Sequence, residues 1–182
     1  MYQRLPASTS FLTERSDLRI NIAVQLICEK LGEKCTSAMI GFHAFTESDM
    51  SGRFAGRSKD WCFKVFLTCD IAYSKILDAL GALGSQSDLS PEIYAQLERF
   101  VCLIYKFEVR TKVKDLRWFL FSNRAAEGES VPPTTCSLQL RIWRAAHYIA
   151  MIWRRATESH PSLPSFKVCF HDYDLCCCYI YL

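Results

Sequence analysis

Apolar residues recur every three or four positions along most of this chain, and this spacing constrains its fold more than any other feature. Residues at such intervals lie on one face of an α-helix. The longest example is segment 134–158, whose apolar stripe consists of Leu138, Ile142, Ala145, Ile149, Ile152 and Ala156. No alternating pattern typical of β-strands is found before residue 166. The spacing therefore predicts a mainly α-helical fold.

Start and stop signals mark the ends of the predicted helices. Gly32 and Gly84 each follow an apolar periodic segment, and glycine readily adopts the left-handed conformation that ends a helix. Ser90, Pro91 and Glu92 indicate a helix start, with a capping hydroxyl, a proline in the first turn and an early acid. The predicted helices cover 20–31, 35–45, 61–69, 72–83, the segments that begin at Ser90 and Thr111, and 134–158.

The composition is that of a globular domain. The chain has 182 residues, of which 50% are hydrophobic and 23% are charged, and this excludes disordered, collagen-like and low-complexity chains. The length is sufficient for one domain with a sizeable core. The formal charge of +3, from 22 Lys and Arg against 19 Asp and Glu, is too small to indicate a nucleic-acid-binding protein by itself.

Composition also divides the chain into five parts. Residues 1–19 mix Pro, Ser and Thr with charges of both signs, which predicts a loose leader. Gly128, Pro132 and Pro133 predict a break between two helical regions. The predicted parts are the leader at 1–19, a helical core fragment at 20–124, a linker at 125–133, a long amphipathic helix at 134–158 and a divergent apolar, cysteine-rich tail at 159–182.

The ten cysteines are interpreted as free thiols. No apolar segment typical of a signal peptide follows the first residues, so we expect an intracellular location, cytoplasmic or nuclear, where thiols stay reduced. Cys28 and Cys35, like Cys62 and Cys69, are about 10 Å apart along a helix, which is too far to share one zinc ion. No stretch reaches the ~20 apolar residues of a membrane span.

Segment 41–59 contains the residues that most suggest a phosphate or metal site. An apolar helix leads to Asp49, which is followed by Gly52 and Gly56 with cations on both sides. Glycine lets backbone N–H groups approach a phosphate, cations neutralise its charge, and a carboxylate is a ligand that Mg²⁺ prefers. A solvated loop between helices explains the same residues. A Walker phosphate loop is excluded, because its G-x-x-x-x-G-K-[ST] spacing does not occur.

A second basic stretch has two interpretations. Its cations alternate with aromatic residues and would follow a nucleic-acid backbone, or they form the solvated outer face of amphipathic helices. The residues concerned are Lys106, Arg110, Lys112, Lys114, Arg117 and Arg124 with Tyr105 and Trp118, and further along Arg141, Arg144, Arg154 and Arg155. The acids Glu98, Glu108 and Asp115 reduce the positive charge of the stretch. His43 lies in an apolar run and is interpreted as a packed residue rather than a catalytic base.

Residues 42–49 (FHAFTESD) and 54–59 (FAGRSK) resemble an uncharacterised animal protein family that is often encoded next to mobile elements. The pattern of that family is F-H-A-[FL]-T-G-[CS]-D followed by F-x-G-[KR]. Segments 97–105, 116–121 and 132–134, together with helix 144–153, are also similar to it. The resemblance covers roughly residues 20–165.

The resemblance implies a nuclease-like origin, because fuller members of the family are similar to PIN-like and flap-endonuclease-like nucleases. It implies the helical fragment of such an α/β domain, with the N-terminal sheet largely missing. Asp49 would match a metal-binding aspartate and residues 52–59 a phosphate-contacting turn. The paired acids of an earlier strand have no counterpart, since only Glu14 and Asp17 precede Ile20.

The chain departs from the family pattern in three places. Glu47 replaces a glycine, and the resemblance stops after Ser165. Segment 144–148 carries one additional alanine, which would rotate the rest of an α-helix by about 100°.

We therefore expect a catalytically inactive nuclease-like remnant, with no catalytic residues, that binds nucleic-acid phosphates weakly and non-specifically. The predicted phosphate-binding residues are Arg53, Arg57, Lys59 and Lys64. Asp49 is the candidate metal ligand, and no cofactor is expected except Mg²⁺ if the enzyme is active. Two alternatives stay open, namely a helical protein-interaction module with its face around Trp143, Tyr148 and Trp153, and a Mg²⁺-dependent nuclease.

Overall fold

The structure, a computed structural model, describes residues 10–15, 18–48, 51–85, 88–123, 131–156 and 158–162. Within these residues the chain forms two strands, seven α-helices and one π-helical turn, so the prediction of a mainly helical protein is confirmed. The elements are β1 (Ser10–Arg15), β2 (Leu18–Ala23), α1 (Val24–Thr46), α2 (Lys59–Ala72), α3 (Ser74–Ala82), α4 (Pro91–Ile104), α5 (Val113–Ser122), α6 (Thr135–Arg144), the π-helical turn (Ala145–Ile149) and α7 (Ala150–Arg155).

Two strands precede the helices, so the prediction of no strand before residue 166 was wrong. β1 lies within the segment predicted as a leader, and it pairs antiparallel with β2 so that Ser10 is opposite Ala23 and Arg15 is opposite Leu18. The predicted helical start at Ile20 was also wrong, because residues 20–23 belong to β2. In 18–22, apolar and polar residues alternate as in a strand, whereas Ile20 and Val24 also fit helical spacing.

Gly32 divides α1 where the sequence predicts a helix end. Its φ of 75° and ψ of 164° are non-helical, and they join two helical segments across a kink. The second segment supplies much of the core, with Cys35, Ala38, Phe42 and Phe45 buried. The predicted boundary is therefore confirmed, although the helix resumes at once on the other side of it.

α4 lies at the centre of the hydrophobic core. Apolar spacing predicts a stripe of Ile93, Leu97, Phe100, Val101 and Ile104 on this helix. All of these except Ile93 are buried, which confirms most of the stripe. The predicted start is confirmed as well, because Ser90 Oγ accepts a hydrogen bond from the backbone N–H of Ile93 at 3.4 Å.

The start of α5 is stabilised by a side chain from α4. The buried carboxylate of Glu98 accepts a hydrogen bond from the backbone N–H of Val113 at 3.0 Å. Its other oxygen is 3.0 Å from Lys112 Nζ. A carboxylate at a helix N-terminus satisfies a free N–H group and interacts favourably with the helix dipole. The predicted helix from Thr111 thus begins two residues later, at the residue that Glu98 caps.

The predicted helix at 134–158 forms as α6, a π-helical turn and α7. Thr134 caps its start through a 3.2 Å hydrogen bond from the Ser137 N–H, and α7 ends at Arg155. In the π-helical turn, the N–H of Ala150 donates to the carbonyl of Ala145, five residues earlier. A π-helical turn of this kind contains one residue more than an α-helical turn does.

None of the helices in the described part of the chain is long and apolar enough to cross a membrane. Several predicted features lie wholly or partly outside the described residues. They are Asp49, residues 1–9 of the leader, residues 124–130 around the linker, and residues 163–182 of the tail.

Candidate functional site

The loop between α1 and α2, residues 47–58, is closed by serine hydrogen bonds. The backbones of Ser48 and Ser51 exchange N–H···O bonds of 3.1 and 3.2 Å, and their hydroxyl oxygens are 2.9 Å apart. Ser51 Oγ also donates to the carbonyl of Ala44 in α1, at 2.8 Å. Asp49, the predicted metal ligand, lies between these serines in sequence but outside the described residues.

Arg141 fixes this α1–α2 loop to the end of α1. Its Nη1 donates to the carbonyl of Phe45 at 3.1 Å and to the carbonyl of Gly52 at 2.6 Å. The guanidinium carbon is 4.4 Å from the ring centroid of Phe54, which is buried. Burial lowers the pKa of Arg141 from its ordinary value. One half-buried cation therefore joins the helix end, the loop backbone and the core.

Tyr105 and Arg57 hold the second half of the α1–α2 loop. The Tyr105 hydroxyl donates towards the carbonyls of Ala55 at 3.0 Å and Val131 at 3.3 Å, and burial raises the pKa of Tyr105 to about 12. The Arg57 guanidinium carbon is 4.9 Å from the centre of the Tyr105 ring. Arg57 Nε is buried and has no hydrogen-bond partner among the described residues.

The ammonium group of Lys59 contacts the protein instead of extending into solvent. Its Nζ donates to the carbonyl of Glu47 at 2.7 Å and lies 2.6 Å from Nδ1 of His43. Because a lysine ammonium group only donates hydrogen bonds, His43 Nδ1 is the acceptor in this contact. The pair connects the first residue of α2 to the last turns of α1.

The four predicted phosphate-binding residues therefore differ in their surroundings. Arg53 and Lys64 are exposed to solvent. Arg57 and Lys59 are half-buried and contact different parts of the protein, Arg57 the Tyr105 ring and Lys59 the end of α1. Arg53 and Lys64 are thus the more exposed of the four cations.

A groove of about 580 Å³ adjoins the α1–α2 loop, and we call it the Trp153 groove. Its walls are mostly apolar, with Lys59, His43 and Asp60 as the polar residues. The Trp153 ring, 47% exposed, meets the His43 ring edge-on at 5.2 Å between centroids. The apolar lining residues are Met39, Ile40, Phe42, Phe63 and Trp153.

Four arginines of the basic stretch donate to backbone carbonyls, namely Arg117, Arg141, Arg154 and Arg155. Arg141 is held as described above, and Arg154 donates from Nε to the carbonyl of Leu83 at 2.7 Å and from Nη2 to that of Gly81 at 2.5 Å. Lys112 forms an ion pair with Glu98. A substantial part of the charge that the sequence assigns to a binding surface therefore stabilises the fold.

Sequence reasoning did not identify Arg141 and Tyr105 as the residues that shape the loop. Arg141 is 89 residues from Gly52 and 96 from Phe45, and Tyr105 is 50 residues from Ala55. No local pattern encodes contacts over such separations. The one available signal was that Arg141 lies beside the apolar stripe of a helix, at a position suited to a half-buried cation.

Within the described residues, no group of three or more His, Cys, Asp or Glu side chains is placed to hold a metal ion. The described cysteines are free thiols, and four of them, Cys35, Cys62, Cys69 and Cys102, are buried.

Comparison with known proteins adds no relative. No protein-family model matches the chain, and no curated protein or solved structure matches it either. The resemblance to the family associated with mobile elements therefore stays a prediction that depends on the motifs alone.

Proposed function

We propose that the chain is a helical module that binds the phosphates of nucleic acids weakly and without sequence specificity. The observation that carries this proposal is the exposure of Arg53 on a loop that Arg141 holds in place. Lys64 of α2 is exposed as well, and exposed cations bind phosphates by releasing their counterions. Among the residues that the structure describes, no atom lies within 4 Å of a side chain added at Gly52, which leaves space for a ligand beside the loop backbone.

Arg57 and Lys59 support the same function indirectly. Each is half-buried and holds one end of the loop that carries Arg53, through the Tyr105 ring and the Glu47 carbonyl. We assign direct phosphate contact to Arg53 and Lys64, and positioning of the loop to Arg57 and Lys59. Substitutions of Arg57 and Lys59 should therefore reduce the stability of the fold more than substitutions of Arg53 and Lys64.

The proposal includes binding without hydrolysis. Two-metal hydrolysis requires several carboxylate oxygens around ions that lie about 4 Å apart. The FHAFTESD motif supplies one such carboxylate, Asp49, and the acids that precede Ile20 in this sequence are Glu14 and Asp17. DNA cleavage in Mg²⁺ that Asp49→Ala abolishes would instead establish the nuclease alternative.

We also propose that the helical region derives from a PIN-like or flap-endonuclease-like domain of the family associated with mobile elements. The segments that resemble the family coincide with the end of α1, the α1–α2 loop, α4 and α5, which share one core. The structure of a longer family member tests this origin. We expect these elements to superpose, and a different packing of α1 against α4 would contradict it.

A salt titration with a 20-base-pair DNA duplex tests the phosphate-binding proposal. Two direct contacts predict a slope of about −2 for the logarithm of the binding constant against the logarithm of salt concentration. Affinity should thus fall about tenfold between 50 and 200 mM salt. The Arg53→Ala/Lys64→Ala variant should lose this salt-dependent binding.

The matched control is Lys30→Ala/Lys75→Ala, which removes two exposed lysines from other helices. Because it changes the net charge by the same amount, it separates a local site from a general charge effect. An equal loss of affinity in both variants would contradict the proposed site, as would binding that does not depend on salt or an absence of binding at low salt.

A helical protein-interaction module is the second candidate, and the Trp153 groove favours it. An apolar groove beside an exposed tryptophan fits apolar side chains of a partner helix. The rest of the predicted face is less accessible, since Trp143 is half-buried and stacks on His147 at 4.9 Å between centroids. The interaction surface would therefore centre on Trp153.

Affinity purification from a nuclease-treated extract tests this candidate. A defined partner that is recovered with the wild-type chain and lost with Trp153→Ser would support it. Trp118→Ser is the matched control, because Trp118 is an exposed tryptophan on a different helix. Equal recovery with all three chains would exclude the Trp153 groove as the binding surface.

A further inference from the structure

One face of α5 carries two exposed aromatic rings next to basic residues. Lys114, Arg117, Trp118 and Phe121 are spaced by three, four and seven positions, and this places them on one side of the helix. The opposite side packs into the core through residues that are buried, namely Val113, Leu116 and Leu120. We call the first side the α5 outer face.

The aromatic rings of the α5 outer face are unusually accessible. Trp118 is 73% exposed and Phe121 is 48% exposed. Their neighbour Phe119 is packed instead, edge-on to Phe107 at 5.4 Å between ring centroids. Large exposed apolar side chains close together are typical of contact sites. An indole ring offers a flat surface for stacking against another aromatic system.

The cations beside these rings are held in position. Arg117 donates from Nη1 to the carbonyl of Pro132, and its guanidinium carbon is 5.4 Å from the Phe121 ring centroid. A guanidinium group has five N–H donors, so one backbone contact orients Arg117 without using all of them. Arg110 lies 4.4 Å from the Phe119 ring centroid. Lys114 is exposed.

The segment that leads into α5, together with the first turns of α5, carries more cations than acids. Segment 106–117 contains five Lys and Arg residues against two acids, Glu108 and Asp115. Lys112 is neutralised by Glu98, and the remaining cations still exceed the acids. An acidic peptide would match this charge, but its carboxylates do not explain the two exposed aromatic rings, Trp118 and Phe121, beside the cations.

We propose that the α5 outer face binds single-stranded nucleic acid, with a base stacked on Trp118 and neighbouring phosphates on Lys114 and Arg117. Bases of a single strand are free to stack on aromatic side chains, whereas those of a duplex are stacked on one another. This site uses residues of α5, whereas the proposed phosphate site uses Arg53 and Lys64. It goes beyond the proposed phosphate binding, since it defines the strandedness of the ligand.

Titration of the full chain with the oligonucleotide dT10 tests this site through tryptophan fluorescence and anisotropy of a labelled strand. Stacking of one base on Trp118 predicts quenching, and Trp118→Ala should weaken dT10 binding by about 5- to 100-fold. Trp118→Phe should restore most of the affinity, because phenylalanine also stacks. Lys114→Ala should reduce the salt slope by about 0.7. Trp153→Phe, the control, should leave quenching and affinity unchanged.

Three outcomes would overturn the proposal. They are unchanged dT10 affinity in Trp118→Ala, tighter binding of a duplex than of dT10 by the Arg53→Ala/Lys64→Ala variant, and equal binding of a polyglutamate peptide, which would indicate an acidic protein partner. The Arg53→Ala/Lys64→Ala variant separates this site from the α1–α2 loop. If it keeps the dT10 quenching but loses duplex binding, both sites exist; loss of dT10 quenching would contradict the α5 site.

Discussion

At the scale of single residues, arginine side chains connect helix ends to distant segments. Arg141 binds the carbonyl of Phe45 at the end of α1, and Arg154 binds those of Gly81 and Leu83 at the end of α3. The last carbonyls of a helix lack intrahelical partners and carry partial negative charge, so a cation is favourable there. Burial lowers the pKa of both guanidinium groups, which nevertheless stay charged.

The buried thiols make stability dependent on pH. Burial raises the pKa of Cys62 to about 11 and those of Cys69 and Cys102 to about 12, from an ordinary value of 9.0. In the unfolded chain these thiols ionise near pH 9, whereas in the folded chain they stay protonated. The contribution of these thiols to stability is therefore fully present below pH 9 and is lost as the pH rises towards 11 to 12.

We expect each buried thiol to reduce the free energy of unfolding by about 1.4 kcal/mol between pH 7 and pH 10. Cys69→Ala should remove one such contribution from the pH dependence, whatever its effect at pH 7. Cys136→Ala should not, since Cys136 is exposed. Urea denaturation at both pH values measures the difference. An identical pH dependence in Cys69→Ala and the wild-type chain would contradict this account.

At the scale of helices and loops, two glycines permit close packing. A Cβ atom at Gly41 of α1 would lie 1.9 Å from the carbonyl oxygen of Leu80 in α3. A Cβ atom at Gly84 would lie 2.6 Å from the carbonyl carbon of Ala150, the first residue of α7. Gly84 also has a φ of +76°, which other residues rarely adopt. These contacts set how closely α1 approaches α3 and how closely α7 approaches the end of α3.

Alanine substitutions at these glycines should be strongly destabilising. We expect Gly41→Ala and Gly84→Ala each to reduce the free energy of unfolding by about 3 kcal/mol, since backbone atoms have to move apart. Gly52→Ala is the control and should change it by less than about 0.5 kcal/mol, because nothing lies within 4 Å of the added methyl group. Urea midpoints measure all three, and a wild-type midpoint for Gly84→Ala would contradict the close contact.

At the scale of the whole molecule, one hydrophobic core joins the segments on both sides of the predicted linker. Leu138 and Ile142 of α6 belong to the same buried cluster as Phe100 of α4 and Phe45 of α1. Val131, at the end of the predicted linker, is buried and accepts a hydrogen bond from Tyr105 through its carbonyl. Helices that share a core are expected to unfold together.

We therefore expect one cooperative unfolding transition. Far-UV circular dichroism follows all helices, whereas the fluorescence of Trp143 and Trp153 follows α6 and α7. The two signals should give the same urea midpoint, in the wild-type chain and in a Trp61→Phe/Trp118→Phe variant that retains only those two tryptophans. An earlier fluorescence transition would indicate that segment 134–158 folds as a separate unit.

The sequence by itself determined the features that depend on neighbours within a few residues. The cap at Ser90, the break at Gly32 and most of the buried stripe of α4 were predicted, because helix capping and periodicity are local interactions. The hairpin was missed because segment 18–24 satisfies two periodicities at once, and only pairing with β1 selects the strand.

Only the tertiary structure decided which charges face solvent. By sequence, Arg53, Arg57 and Lys59 are equivalent cations around two glycines, yet Arg57 lies on Tyr105 and Lys59 binds the end of α1. Arg141 reaches the same loop from 89 residues away. Burial and hydrogen bonding depend on which segments pack together, and that is a property of the complete core rather than of any local pattern.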